Sequence, residues 1–170
     1  MFAGLSVGAG AYVSGAHGRF LAPSGPGRQV WVAAGIGITP FLAWAEALGA
    51  RDGPVDLFYC VPDPQTAPHL SDLRAITEKK SNFRLHLVCS TRDGRLTPEL
   101  VAEVLEGGLG SAKVWFCGPK AMRIGLRTAL IKAGLPARRF HYEEFEIRSG
   151  IDIARPARWL LARLRARLKT

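Results

Sequence analysis

Cysteine is scarce in this chain: Cys60, Cys89 and Cys117 are the only three among 170 residues. An odd, sparse set argues against a disulfide framework and fits a reducing compartment. No Cys-x-x-Cys occurs and no histidine follows at ligand spacing, so a closed zinc site with its four ligands has no candidate. No metal site is expected. No stretch reaches the ~18 to 20 apolar residues that cross a bilayer. The apolar, Gly-rich opening over Met1–Val13 lacks a basic n-region and does not read as a signal peptide. There is no repeat at a fixed period and no low-complexity segment. A serine–histidine–acid set and a hydrolytic carboxylate pair are also lacking, and His69 and His86 have no evident acid or base partner.

The composition that is there is globular: 48% hydrophobic against 22% charged residues excludes a mostly disordered chain and a coiled coil. A chain of 170 residues has room for one domain with a core that needs no staples. The net charge is +9, but residues 154–170 hold six Lys or Arg and no acid, so residues 1–153 carry only +3. The body shows no interleaving of basic and aromatic residues, which argues against nucleic acid. In the tail, Pro156 can open a helix. Leu160, Leu164 and Leu168 recur on one face, with Ala157 and Leu161 alongside and arginines over the remaining arc. This basic amphipathic helix over 151–170 either covers an apolar patch of the domain or meets an anionic membrane surface.

From Val30 a pattern repeats. Val30–Ala34 is a short continuous apolar run, as in a parallel strand buried on both faces. A helix is expected from Pro40 to Leu48, then a strand over Val55–Val61 and a helix over Ser71–Lys80. A strand over Arg84–Cys89, a helix over Pro98–Glu106, a strand over Val114–Cys117 and a helix over Lys120–Ala133 follow. A last extended run covers Phe140–Ile147. This alternation predicts an α/β sheet with crossover helices on both faces. Thr39 and Thr97, each before a proline, read as helix N-caps. Asp72 falls in a first turn, and Gly134 ends the helix that starts at Lys120. Met122, Leu126 and Leu130 share a helical face and read as core.

Gly35-Ile36-Gly37-Ile38-Thr39-Pro40 follows the first strand and opens the first helix. In a parallel sheet this turn suits a phosphate-bearing ligand: glycines let the backbone approach, and the helix N-terminus offers N–H groups. The plain alternative is a tight strand-to-helix turn. Phe116-Cys117-Gly118-Pro119 ends the fourth strand. If the strand order reverses between strands one and four, Thr39 and Cys117 face one ligand. All three cysteines end strands and read as small buried residues along one sheet edge. Ser90-Thr91-Arg92 follows the third strand; its hydroxyls and guanidinium suit the extra phosphate of NADP, or form an ordinary polar loop closed by Asp93-Gly94.

Four motifs in order, Gly35–Pro40, Ser90–Arg95, Phe116–Pro119 with Met122, and Glu143-Glu144-Phe145, resemble the pyridine-nucleotide-binding half of the ferredoxin–NADP reductase superfamily. The resemblance covers residues 12–148, with the ferric reductase and NADPH oxidase-like branch nearest. It implies a doubly wound parallel five-stranded sheet of order 3-2-1-4-5. It implies dinucleotide contacts at Gly35, Gly37, Ile38, Thr39, Pro40, Gly118, Pro119 and Met122, with Ser90 and Arg92 on the 2′-phosphate. Cys117 is implied beside the nicotinamide and partly reachable from the crevice. Phe145, with Glu144 beside it, is implied over the flavin ring. Gly15-Ala16-His17-Gly18-Arg19-Phe20 resembles the stretch that closes the family's flavin-binding barrel, departing from it at Ala16 and His17. Pro62 stands where many relatives carry an arginine.

The expected organisation is a barrel remnant over 1–27, a nucleotide domain over 28–150 and the basic helix over 151–170. The expected activity is that of an NAD(P)H-dependent flavin oxidoreductase fragment, inactive alone. It would take NADPH, or NADH, with FAD held mainly by an upstream barrel, and electrons leave for haem, iron or oxygen. The implied partners are that barrel and haem-bearing membrane helices of a parent chain, on the cytoplasmic side of a membrane. A nucleotide-binding module without redox turnover and a basic peripheral-membrane protein are the alternatives.

Overall fold

The first apolar run forms β1 (Gln29–Ala34), and all six of its residues are buried, as a strand covered on both faces requires. The computed structural model describes residues 6, 8–10, 12, 18–105 and 108–143. The chain continues as α1 (Thr39–Ala47), β2 (Val55–Val61), α2 (Leu70–Lys79), β3 (Phe83–Cys89), α3 (Pro98–Val104), β4 (Lys113–Cys117), α4 (Lys120–Lys132) and β5 (Phe140–Glu143). The strands make one sheet of order β3-β2-β1-β4-β5. Every pairing is parallel, with Ala33 opposite Cys117 and Ala34 opposite Cys60. The expected sheet, order and strand count are therefore present. Glu144, Phe145 and the helix expected over 151–170 lie outside the described residues, as does most of the segment over 1–17.

Alternation along the strands splits the core into two layers. Trp31, Leu57, Tyr59 and Trp115 face one side, where α1 and α2 bring Phe41, Trp44, Leu73 and Ile76. Val30, Val32, Phe58, Val114 and Phe116 face the other, against Val101 of α3 and Leu126 and Leu130 of α4. Helices thus cover both faces. Met122 packs against the second layer, as its helical spacing predicts. Phe20, ahead of β1, stacks on Trp44 at 4.7 Å between ring centroids and meets Phe41 edge-on at 5.9 Å. The strap behind it is pinned where the Gly53 N–H donates to the Gly25 carbonyl at 2.9 Å.

Local signals hold at most helix ends. Thr97 caps α3, its side chain accepting from the Leu100 N–H. Gly134 follows α4, and the Leu135 N–H donates back to the Leu130 carbonyl at 2.9 Å. Thr39 differs from expectation. A 3-10 turn over Gly35–Ile38 intervenes, so Thr39 is the first residue of α1, Ile38 occupies the cap position, and the Thr39 hydroxyl donates to the Ile36 carbonyl at 3.2 Å.

Both histidines have acid partners that the sequence did not show. His69 takes a left-handed conformation (φ 58°) before α2, and its Nδ1 lies 3.1 Å from Asp72 Oδ2. His86 Nε2 lies 2.9 Å from Asp56 Oδ1. Asp56 is fully buried on β2 and also accepts from Arg28 Nε at 3.2 Å and from Arg84 Nε and Nη2 at 2.8 and 3.0 Å. The partners come from the strap and from alternate positions of β3, so no spacing along the chain announces them. A buried carboxylate needs such partners, because desolvation otherwise disfavours its charge.

Removing that carboxylate leaves Arg28, Arg84 and His86 without this partner. Asp56→Ala is expected to cost roughly 3 kcal/mol, the low end for breaking a buried ion pair, because the cations keep part of their hydration. A urea-unfolding curve checks this, and an unchanged midpoint would contradict it.

Candidate active site

The site lies where the strand order turns back on itself. β1 runs on to β2 on one side while β4 enters on the other, so the carboxyl ends of β1 and β4 flank a crevice. Ligands of open α/β sheets bind at this kind of point. The Gly35–Ile38 turn leaves β1 there, and Gly118-Pro119 leaves β4 beside it.

The two turns touch through backbone. A Cβ built on Gly37 would sit 2.1 Å from the Cys117 carbonyl oxygen and 2.6 Å from its carbon. Only glycine allows this approach. Gly118 is similarly confined: its Cβ would meet the Ala34 Cβ at 2.9 Å and the Phe116 ring at 3.2 Å. Gly35 is different. It has φ +56° and nothing within 4 Å of where a Cβ would point, so the turn presents open backbone to the crevice. Ile38 is buried under the turn while Ile36 is exposed. Thr39 and Pro40 then bring the first turn of α1 and its positive dipole end to the same place.

Cys117 is present at the meeting point but differs from expectation in access. It is fully buried among the core side chains of the α1 face, since the carbonyl, not the thiol, meets the Gly37 turn. Burial, with Glu143 nearby, pushes its thiol up to about 12. It therefore stays a neutral thiol at physiological pH. Cys60 also lies near its strand end and is pushed up to about 12 by burial, while Cys89 is the last residue of β3. The three cysteines are free thiols.

Ser90 and Arg92 sit in the turn after β3, two strands from β1, or about 10 Å across the sheet. Ser90 is exposed. The Arg92 fork points at its neighbour: Nε and Nη2 donate to Asp93 Oδ1 and Oδ2 at 2.6 and 2.9 Å. Arg92 and the Cys89 N–H together hold the Asp93 carboxyl down to about 2. Asp93, read from sequence only as part of a turn, thus sets the direction of the arginine. The signal was its adjacency to Arg92. Away from these turns, a cavity of about 300 Å³ lies between Arg19–Leu21 and Trp115 and His141; residues far apart in the chain form it, so no local motif marks it. No helix among the described residues is long and apolar enough to cross a membrane, and no cluster of three metal-ligating side chains occurs among them.

Known proteins resemble this chain in sequence and in fold. The oxidoreductase NAD-binding domain family matches residues 31–127. The chain is 32% identical over 136 residues to the heme-dependent oxidative N-demethylase beta subunit of Ectopseudomonas mendocina, covering 80% of this chain and 40% of that protein. It is 29% identical over 121 residues to the carnitine monooxygenase reductase subunit of Escherichia coli, covering 71% of this chain and 36% of the relative. The chain therefore spans less than half the length of either. A flavohemoglobin crystal structure from Malassezia yamatoensis, with bound FAD and heme, superposes with a TM-score of 0.62 at 23% identity, over 71% of this chain and 32% of that one; at that identity the likeness is one of fold. Taken with the crossing of the Gly37 turn over Cys117, the match over residues 31–127 shows that the chain belongs to the oxidoreductase NAD-binding domain family, within the ferredoxin–NADP reductase superfamily.

Proposed function

We propose that this chain is the NAD(P)H-binding part of a flavin-dependent electron-transfer oxidoreductase. The observation that carries the reading is the backbone contact of Gly37 with Cys117, which sets the open Gly35 turn at the β1–β4 crevice. A bound NAD(P)H supplies the hydride, and a flavin held by another part of the protein receives it. The chain's own residues bind and orient. Gly35 and Gly37 would let backbone approach a pyrophosphate, and the α1 N-terminus would favour its charge. Thr39 and Pro40 shape the wall beside it. Gly118 and Pro119 form the opposite wall, and Met122 supports it from the second core layer. Cys117 holds position as an uncharged buried thiol.

Ser90 and Arg92 support a preference for the 2′-phosphate of NADPH. Asp93 presents the counter-argument, since it already occupies the arginine fork; the phosphate must displace it. Phe145 and Glu144 enter as the residues over the flavin through the resemblance of Glu143–Phe145. The finer assignment, to the ferric reductase-like branch with electrons leaving for haem, iron or oxygen, is supported by the Gly35–Pro40 and Phe116–Pro119 motifs. The division into a barrel-closing segment over 1–27, a nucleotide domain over 28–150 and a basic helix over 151–170 belongs to the same proposal. So does the location at the cytoplasmic face of a membrane.

Titration of the chain with nucleotide tests the reading. Arg92→Ala is expected to weaken NADP⁺ binding about tenfold, one charge-assisted contact being lost, and to leave NAD⁺ nearly unchanged. Equal loss for both would show that Arg92 serves only the turn. In the flavin-bearing protein, Cys117→Ala is expected to slow single-turnover hydride transfer more than it weakens NADPH binding, because alignment is lost before affinity. An unchanged rate would remove Cys117 from the site.

A further inference from the structure

Residues 107–142 contain seven Lys or Arg and no Asp or Glu. This acid-free run builds β4, α4 and most of β5. A groove of about 320 Å³ opens there between α4 and β5, lined by Arg123, Ile124, Arg127, Thr128 and Tyr142. Ile124 is 53% and Tyr142 44% exposed, two of the few large apolar side chains so exposed among the described residues. The Arg123 guanidinium lies over the Tyr142 ring, 4.0 Å from its centroid, which holds the aromatic surface flat and outward. No carboxylate among the described residues forms an ion pair with Arg127. Glu143, the nearest acid in sequence, alternates to the opposite sheet face. β5 pairs only with β4 and is the sheet edge.

We propose that the α4–β5 groove is a docking site for an acidic protein segment that also carries apolar side chains. The apolar pair Ile124 and Tyr142 gives the contact its water-excluding centre, and Arg127 gives it charge selectivity at the rim; Arg and Tyr are the residue types that dominate such centres. Charge decides among occupants. The basic segment over 154–170 carries six cations and no acid, so it is repelled. A nucleic acid or an anionic bilayer would need a row of outward cations, whereas Arg123 is folded onto Tyr142 and the centre of the groove is apolar. The proposal is independent of nucleotide binding, because the groove lies one to two turns along α4 from the Gly118-Pro119 crevice.

Fluorescence anisotropy on the full chain tests it, with two labelled peptides of equal length: one alternating glutamate and leucine, one of glutamate alone. The proposal expects the glutamate–leucine peptide to bind at least tenfold tighter than polyglutamate. It expects Arg127→Glu to weaken that binding tenfold or more and Ile124→Ser about threefold. The triple tail variant Arg163→Gln/Arg165→Gln/Arg167→Gln is expected to change it less than twofold. NADPH affinity, measured on the same proteins, should stay constant across all variants. Loss of NADPH binding in the wild type alone would bear on the proposed function and not on this groove. The proposal is overturned by absent peptide binding, by equal affinity for the two peptides, by binding insensitive to Arg127→Glu, or by binding removed by the tail variant. Tighter Arg127-dependent binding of a DNA duplex or phosphatidylserine vesicles than of the peptide would overturn it too, as would an Arg127-dependent dimer.

Discussion

The close approach of the Gly37 backbone to the Cys117 carbonyl is the constraint on which the site depends. It joins the loop after β1 to the loop after β4, at the one place in the sheet where consecutive connections diverge. The residues at the contact itself are small for that reason. Gly118 fits between Ala34 and Phe116, and Cys117 fills the space beneath as a buried thiol. A side chain at position 37 would push the two turns apart and close the surface that Gly35 leaves open. The same contact sets the two turns against each other, so a ligand would meet a backbone already in place, which lowers the ordering cost of binding.

The two ends of the sheet divide the work. Near the amino ends, Asp56 gathers Arg28, Arg84 and His86 into a buried charge cluster, and the strap from Pro23 to Arg28 is tied down beside it. That end consumes its polar groups internally. At the carboxyl ends, turns after β1, β3 and β4 leave polar groups and backbone facing outward. Stability and binding are thereby assigned to opposite edges, so changes at one edge need not disturb the other.

Much of this was legible in the sequence because parallel sheets advertise themselves. Val30–Ala34 and Val55–Val61 are continuous apolar runs, and the caps at Thr97 and Gly134 mark where helices begin and end. The pairing of Gly35–Pro40 with Phe116–Pro119 located the crevice. What escaped depends on through-space meetings. Asp56 lies 28 residues from both Arg28 and Arg84 in the chain, and it was the fold that joined them. Thr39 was misplaced by one position because a 3-10 turn and a cap share the same residue types before a proline. The orientation of Arg92 turned on a neighbour, Asp93, whose carboxylate was read only as a turn former. Cys117 is buried, as its place at a strand end suggested, and not partly reachable from the crevice as the resemblance implied.

The central claim is that a dinucleotide lies across the β1 and β4 turns. Amide hydrogen exchange of the chain with and without NADPH measures this most directly, because the groups concerned are backbone N–H. The account predicts added protection at Gly35–Thr39 and Gly118, with a smaller effect at Ser90–Arg92, and none at Arg84 and His86 on the far side of the sheet. Protection absent from Gly35–Thr39, or confined to segments away from both turns, would contradict it.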